Sequence, residues 1–148
     1  MTPKQKLRRQ SVRFELDCEC LPKQAGKRGI ARVGTRSFSS KVLATNQQTM
    51  QALMMPYRLA EPMRGPVALT MHFCYPWLKK HTARQRAEGR IYKATRPDMD
   101  NLAKNLCDVL ESMRFVENDS QFCFGERAKW FDGTQRIVVR MWELETEK

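Results

Sequence analysis

The run VALTMHFCY, from Val67 to Tyr75, constrains the fold more than any other stretch of the chain. It follows Gly65-Pro66 and is closed by Pro76. A run so poor in charge, with β-branched and aromatic side chains, reads as a buried strand. Such a strand needs a sheet around it and other elements to cover that sheet. The flanking sequence supplies both. From Ser11, SVRFEL alternates, with Val12, Phe14 and Leu16 on one side and Arg13 and Glu15 on the other, as a strand does. Ile30 to Val33 is a short extended piece. Val42, Leu43, Met50, Leu53 and Met54 share the broad face of a helix that Pro56 ends. A second helix runs from Pro97 or Asp98 to Ser112, with Leu102, Leu106, Val109, Leu110 and Met113 at helical spacing. QFCFGERAKWF and TQRIVVRMWEL, joined through Asp132-Gly133, predict two strands of a C-terminal hairpin. The order strand, helix, strand, loop, helix, hairpin predicts an α+β (mixed α/β) fold, a mixed sheet packed by two main helices. A chain of 148 residues suits a single compact domain spanning 1–148, with residues 1–11 as a flexible basic arm.

Charge narrows the function. Lys and Arg number 27 against 16 acids, a formal net charge of +11. That favours a polyanionic partner, since neutralised phosphates release counterions. An anionic membrane surface fits less well, because no long basic amphipathic helix appears. No apolar run is long enough to span a membrane, and the basic start MTPKQKLRRQ leads into no apolar signal region. A cytoplasmic protein is expected. Five cysteines, Cys18, Cys20, Cys74, Cys107 and Cys123, are odd in number and irregularly spaced, which predicts reduced thiols, not a disulfide framework or a zinc site.

The cations gather in one stretch without hydrophobic periodicity. Lys79, Lys80, Arg84, Arg86, Arg90 and Lys93 fall within fifteen residues that hold one glutamate. We read this loop, with Arg96, Lys27 and Arg28, as DNA-binding. Its neighbour is acidic. In RPDMDN, Asp98 and Asp100 flank one methionine at the entry to the second helix. Capping and the helix dipole account for aspartate there, but not for two of them after a cationic loop. Lys104 lies four residues after Asp100 and four before Asp108, so the three share a face. They form either a solvated ion-pair ladder or a lysine held ready for phosphate. Glu117 and Asp119 follow the helix. Carboxylates brought together from these places repel unless cations lie between them, and Mg²⁺ prefers such oxygen donors.

The run RPDMDNLAKNLCDVLESMRFVENDSQ resembles the RusA family of Holliday junction resolvases. The resemblance rests on Pro97, Asp98, Asp100, Asn101, Leu102, Lys104, Asp108, Asp119 and Gln121. More loosely, KRGIARVG resembles the family's basic N-terminal segment and GPVALTMHFCYP its central strand. The chain departs from the family pattern in having Asn118 before Asp119, where relatives often have a second acid. The resemblance implies a RusA-like fold and a Mg²⁺-dependent endonuclease of phage or bacterial origin. It implies that Asp98, Asp100 and Asp119 are catalytic carboxylates holding one or two Mg²⁺ ions, and that Lys104 is the essential lysine. The implied substrate is a four-way DNA junction, resolved by paired nicks, which needs a homodimer. The alternatives are a Mg²⁺ nuclease for flaps or other branched DNA, and a non-catalytic nucleic-acid-binding protein. His72 and His81 have no metal-ligand spacing. Phe73, Tyr75 and Trp77 suit base stacking or, more commonly for strand aromatics, the core.

Overall fold

A computed structural model describes residues 9–23, 30–33 and 36–145. The elements are β1 (Ser11–Leu16), β2 (Ile30–Val33), β3 (Arg36–Ser39), α1 (Ser40–Met54), β4 (Val67–Tyr75), α2 (Ala83–Ala87), β5 (Ile91–Tyr92), α3 (Met99–Ser112), β6 (Phe122–Phe124), β7 (Arg127–Phe131) and β8 (Arg136–Glu143). The fold is α+β. Six strands form a mixed sheet in the order β1-β8-β4-β7-β5, with β6 also paired to β4, and β2 and β3 form a separate antiparallel pair.

The apolar run at Val67 is the sheet's centre. β4 pairs antiparallel with β8 and parallel with β7. Val67, Leu69, Met71 and Phe73 are buried on one side of it. On that side β8 aligns Ile137, Val139 and Met141, and β1 contributes Phe14 and Leu16 to the same core. Met50 and Met54 of α1, and Leu102, Leu106, Val109 and Leu110 of α3, complete the cluster. Burying each such side chain is worth about 1.5–3 kcal/mol, so this layer dominates stability. The opposite face of the sheet carries Arg13, Arg140 and His72, with Trp142 beneath the Arg140 guanidinium at 4.9 Å.

Four expectations are corrected. The C-terminal hairpin does not form, because β4 lies between β7 and β8. Asp132-Gly133 does turn the chain, with Gly133 at φ 92°. The turn instead passes over the end of β4, where the backbone N–H groups of Asp132 and Gly133 donate to the Tyr75 carbonyl. A Cβ on Gly133 would lie 2.5 Å from Trp77 Nε1, so glycine lets that crossing sit tight. Second, Val42 is exposed, and Asn46 takes its place on the buried face of α1. Third, the stretch from Lys79 to Lys93 contains α2 and β5. A capping box explains α2: Thr82 Oγ1 accepts from Gln85 N, and Gln85 Oε1 accepts from Thr82 N. Fourth, Arg9 to Ser11 of the expected arm are anchored. Arg9 pairs with Glu145, Gln10 N donates to Glu143 Oε1 at 2.6 Å, and Ser11 opens β1; residues 1–8 lie outside the described residues.

Candidate active site

The sequence places two aspartates where a helix begins, and the structure separates capping from other work. Asp98 is the N-cap of α3 in extended backbone (φ −67°, ψ 141°), yet its side chain makes no cap hydrogen bond. Its backbone carbonyl accepts from Leu102 N. The carboxylate is exposed and left over. Asp100, in the first turn, has a side chain 92% exposed with one ion pair, to Arg127 Nη1 at 3.4 Å. Two solvated carboxylates therefore stand at the helix head, and the macrodipole favours their charge there.

Asp119 arrives from the other end of α3. It opens a short 3₁₀ turn, Asp119–Gln121, capped by Asn118, whose Oδ1 accepts from Ser120 N at 2.8 Å. Gln121 braces the loop: its Oε1 accepts from Glu117 N and Asn118 N, and its Nε2 donates to the carbonyls of Met63 and Gly65. Asn118 is thus a structural cap where relatives often have a second acid. The Asp119 carboxylate is exposed and makes no hydrogen bond or ion pair with a described residue, while its backbone carbonyl accepts from Phe122 N. Its charge reaches Cys107, on α3, where burial first and this carboxylate among lesser causes push the thiol up to about 11.

The proposed ladder along α3 does not form. Asp108 pairs with Lys23 and Asp100 with Arg127. Lys104 is exposed and forms no ion pair with a described residue. Among the described residues no three carboxylate, imidazole or thiol side chains converge closely enough to hold a metal ion. The donor set nonetheless fits a hard cation in chemistry, since Asp98, Asp100 and Asp119 offer carboxylate oxygens with no cap bond and little else to satisfy them.

Two residues of this neighbourhood escaped the sequence reading. Arg127 and Lys129 alternate along β7 on the side that faces the helices, in register with Met71 and Phe73. Arg127 holds Asp100. Lys129 Nζ donates to the carbonyls of Thr95 at 2.6 Å and Pro97 at 2.7 Å, gripping the chain just before Asp98. Burial lowers its pKa, and the Asp98 carboxylate opposes that shift. The alternation in ERAKWF was the available signal: it sets both cations opposite Trp130.

The expected DNA-binding cations divide. Lys79, Lys80 and Arg96 are exposed, and Arg84 is exposed with a loose pairing to Glu88 at 3.6 Å. Arg86 donates to the carbonyls of His81 and Leu78. Arg90 lies 4.2 Å over the Trp130 ring. Lys93 donates to Thr95 Oγ1 at 2.7 Å, and burial followed by the charges of Lys129 and Lys80 lowers its pKa. Lys27 and Arg28 lie outside the described residues. His81 is buried, with Nδ1 accepting from Leu78 N at 3.0 Å, and Phe73 is core.

Solvated carboxylates at a helix head beside Arg127 and Lys129, in a strongly basic chain, are groups suited to work on a phosphate backbone. The class is a nuclease. The profile of the family described as "Endodeoxyribonuclease RusA" matches residues 19–142. A protein of Lactococcus phage r1t named "Crossover junction endodeoxyribonuclease rusA" is 29% identical over 134 residues, covering 88% of this chain and 97% of its own length. The chain belongs to the RusA endodeoxyribonuclease family and is a phosphodiester hydrolase. No helix among the described residues is long and apolar enough to cross a membrane.

Proposed function

We propose that this nuclease resolves four-way DNA junctions, with Asp98, Asp100 and Asp119 holding one or two Mg²⁺ ions. The observation that carries the reading is the pair of solvated carboxylates at the head of α3: Asp98 does not cap, and Asp100 is almost wholly solvated with Arg127 as its ion-pair partner. When bound, a divalent cation supplies the Lewis acidity that activates water and offsets charge on the phosphate. The chain does the rest. Lys79, Lys80, Arg84 and Arg96 draw the DNA backbone toward the acidic site. Lys129 fixes the approach to Asp98. Lys104, which forms no ion pair with a described residue, meets the negative charge that develops on the phosphate. The name of the phage relative supports a crossover junction as substrate.

A junction is close to two-fold symmetric, so paired nicks in strands of like polarity call for two sites in one complex, hence a homodimer. The test is a matched set of junction, flap and duplex DNA in Mg²⁺. Wild type cuts the junction preferentially and symmetrically, and Asp98→Asn, Asp100→Asn and Asp119→Asn each abolish cutting while binding stays normal or tightens. A flap preferred over the junction would replace this reading with a general branched-DNA nuclease. Sedimentation at micromolar concentration and a cruciform plasmid test the dimer: a monomer that still yields mostly linear product would refute it.

A further inference from the structure

Two aromatic side chains stand out on the described surface, Tyr92 at 73% and Phe124 at 67% exposure. Tyr92 has an evident task, since its ring meets Trp130 edge-on at 6.2 Å. Phe124 has no ring partner among the described residues. It forms the wall of a cavity of about 260 Å³ between α3 and strands β4, β6 and β7, lined also by Leu69, Met71, Phe122, Cys107 and Arg127.

That cavity adjoins Asp100 on two sides. Arg127 lines it and holds Asp100 at 3.4 Å. Cys107 lines it from α3, seven residues after Asp100 and so on the same side of that helix. The geometry is fixed by Gly125, at φ 140°, where a Cβ would lie 1.9 Å from the Leu69 carbonyl oxygen. No other residue lets the turn between β6 and β7 lie so close on β4, and that turn presents Phe124.

We propose that this cavity receives one nucleobase bordering the scissile phosphate, stacked on Phe124 with Arg127 at its polar edge. The inference rests on the junction-nuclease reading and adds a base-binding site to it. The volume is below the roughly 300 Å³ at which pockets for drug-sized ligands begin, which suits a single flat ring. The lining is mainly polar, with the Phe124 ring as the face on which a base can stack, while the Arg127 guanidinium offers donors to base acceptors.

The test is photo-crosslinking with 5-iodouracil placed in turn at each nucleotide around the cut of a four-way junction bound by the Asp98→Asn protein. Cut positions are mapped with wild type in Mg²⁺. The expected result is a crosslink to Phe124, located by mass spectrometry, from a nucleotide bordering the cut. Phe124→Leu, at an exposed position, should keep the fold and lower kcat/KM by about 5- to 150-fold, the range for loss of one base–aromatic stack. Differences in cleavage among the four bases at that nucleotide should shrink, and Phe124→Trp should restore them. Wild type that cuts junctions while Phe124 crosslinks to no bordering nucleotide overturns the base site alone. So does Phe124→Leu with unchanged rate and base preference. Wild type that cuts no junction in Mg²⁺ overturns the function on which the site rests.

Discussion

Lys129→Met isolates the grip of β7 on the head of α3. Methionine keeps the apolar stem and removes the ammonium that donates at 2.6 and 2.7 Å to the carbonyls of Thr95 and Pro97. Hydrogen bonds from charged donors contribute about 1.5–3 kcal/mol each. Thr95 is exposed and Lys129 only half-buried, so water takes up part of the loss, and we halve the sum to about 1.5–3 kcal/mol. Urea denaturation reads this as a lower midpoint at unchanged slope. The second effect is on turnover. Pro97 adjoins Asp98, and a misplacement of about 1 Å can cost a hundredfold in rate, so kcat should drop at least tenfold. Stability within about 0.5 kcal/mol of wild type together with normal kcat would refute the idea that Lys129 sets the position of Asp98.

For Lys93, burial and the charges of Lys129 and Lys80 place the folded pKa below the unfolded one. The charged form is therefore penalised in the fold at neutral pH, and the penalty lifts as pH rises through the folded value. Lys93→Met should be no less stable than wild type at pH 7, with any gain shrinking near pH 10 in thermal melts, and the salt slope of DNA binding should fall by about one; a lower melting temperature at pH 7 with an unchanged slope would count against both. Asn105 is buried, donates to the Leu21 carbonyl at 2.9 Å and to Asn46 Oδ1 at 3.2 Å, and accepts from Gln47 Nε2 at 2.8 Å. Asn105→Leu strands these groups, and unfolding free energy should fall by about 2–4 kcal/mol; a loss under about 1 kcal/mol would mean that the network rearranges around leucine.

The core strand β4 and the helix α3 were legible because each carries a strong period of its own: β4 as an unbroken apolar run, α3 as Leu102, Leu106, Val109 and Leu110 on one stripe. The aspartates were legible by spacing, although only the structure shows that Asp98 does not cap. What local pattern missed was set by distant chain. Asp132-Gly133 signals a turn, but nothing nearby says that β4 slips between the strands it joins. Asn46 is buried because the Glu19 carbonyl and Asn105, both distant in sequence, partner its amide. The partners of Arg127 and Lys129, Asp100 and the carbonyls of Thr95 and Pro97, lie about 30 residues earlier in the chain, beyond any local pattern. Thr82 with Gln85 was a readable cap, overlooked among cations.

β8 pairs with β1 across Ser11↔Trp142 and with β4 across Leu69↔Met141. The strand made last therefore separates two made early. As the chain leaves the ribosome, β1 has no neighbour and one edge of β4 stays open until residues 136–143 emerge. Every residue assigned to catalysis is synthesised before that moment, on a sheet not yet closed. Open strand edges recruit other chains. In a nascent chain, solubility before completion hangs on the charges of this basic protein keeping such edges apart, a task for its cations that has nothing to do with DNA.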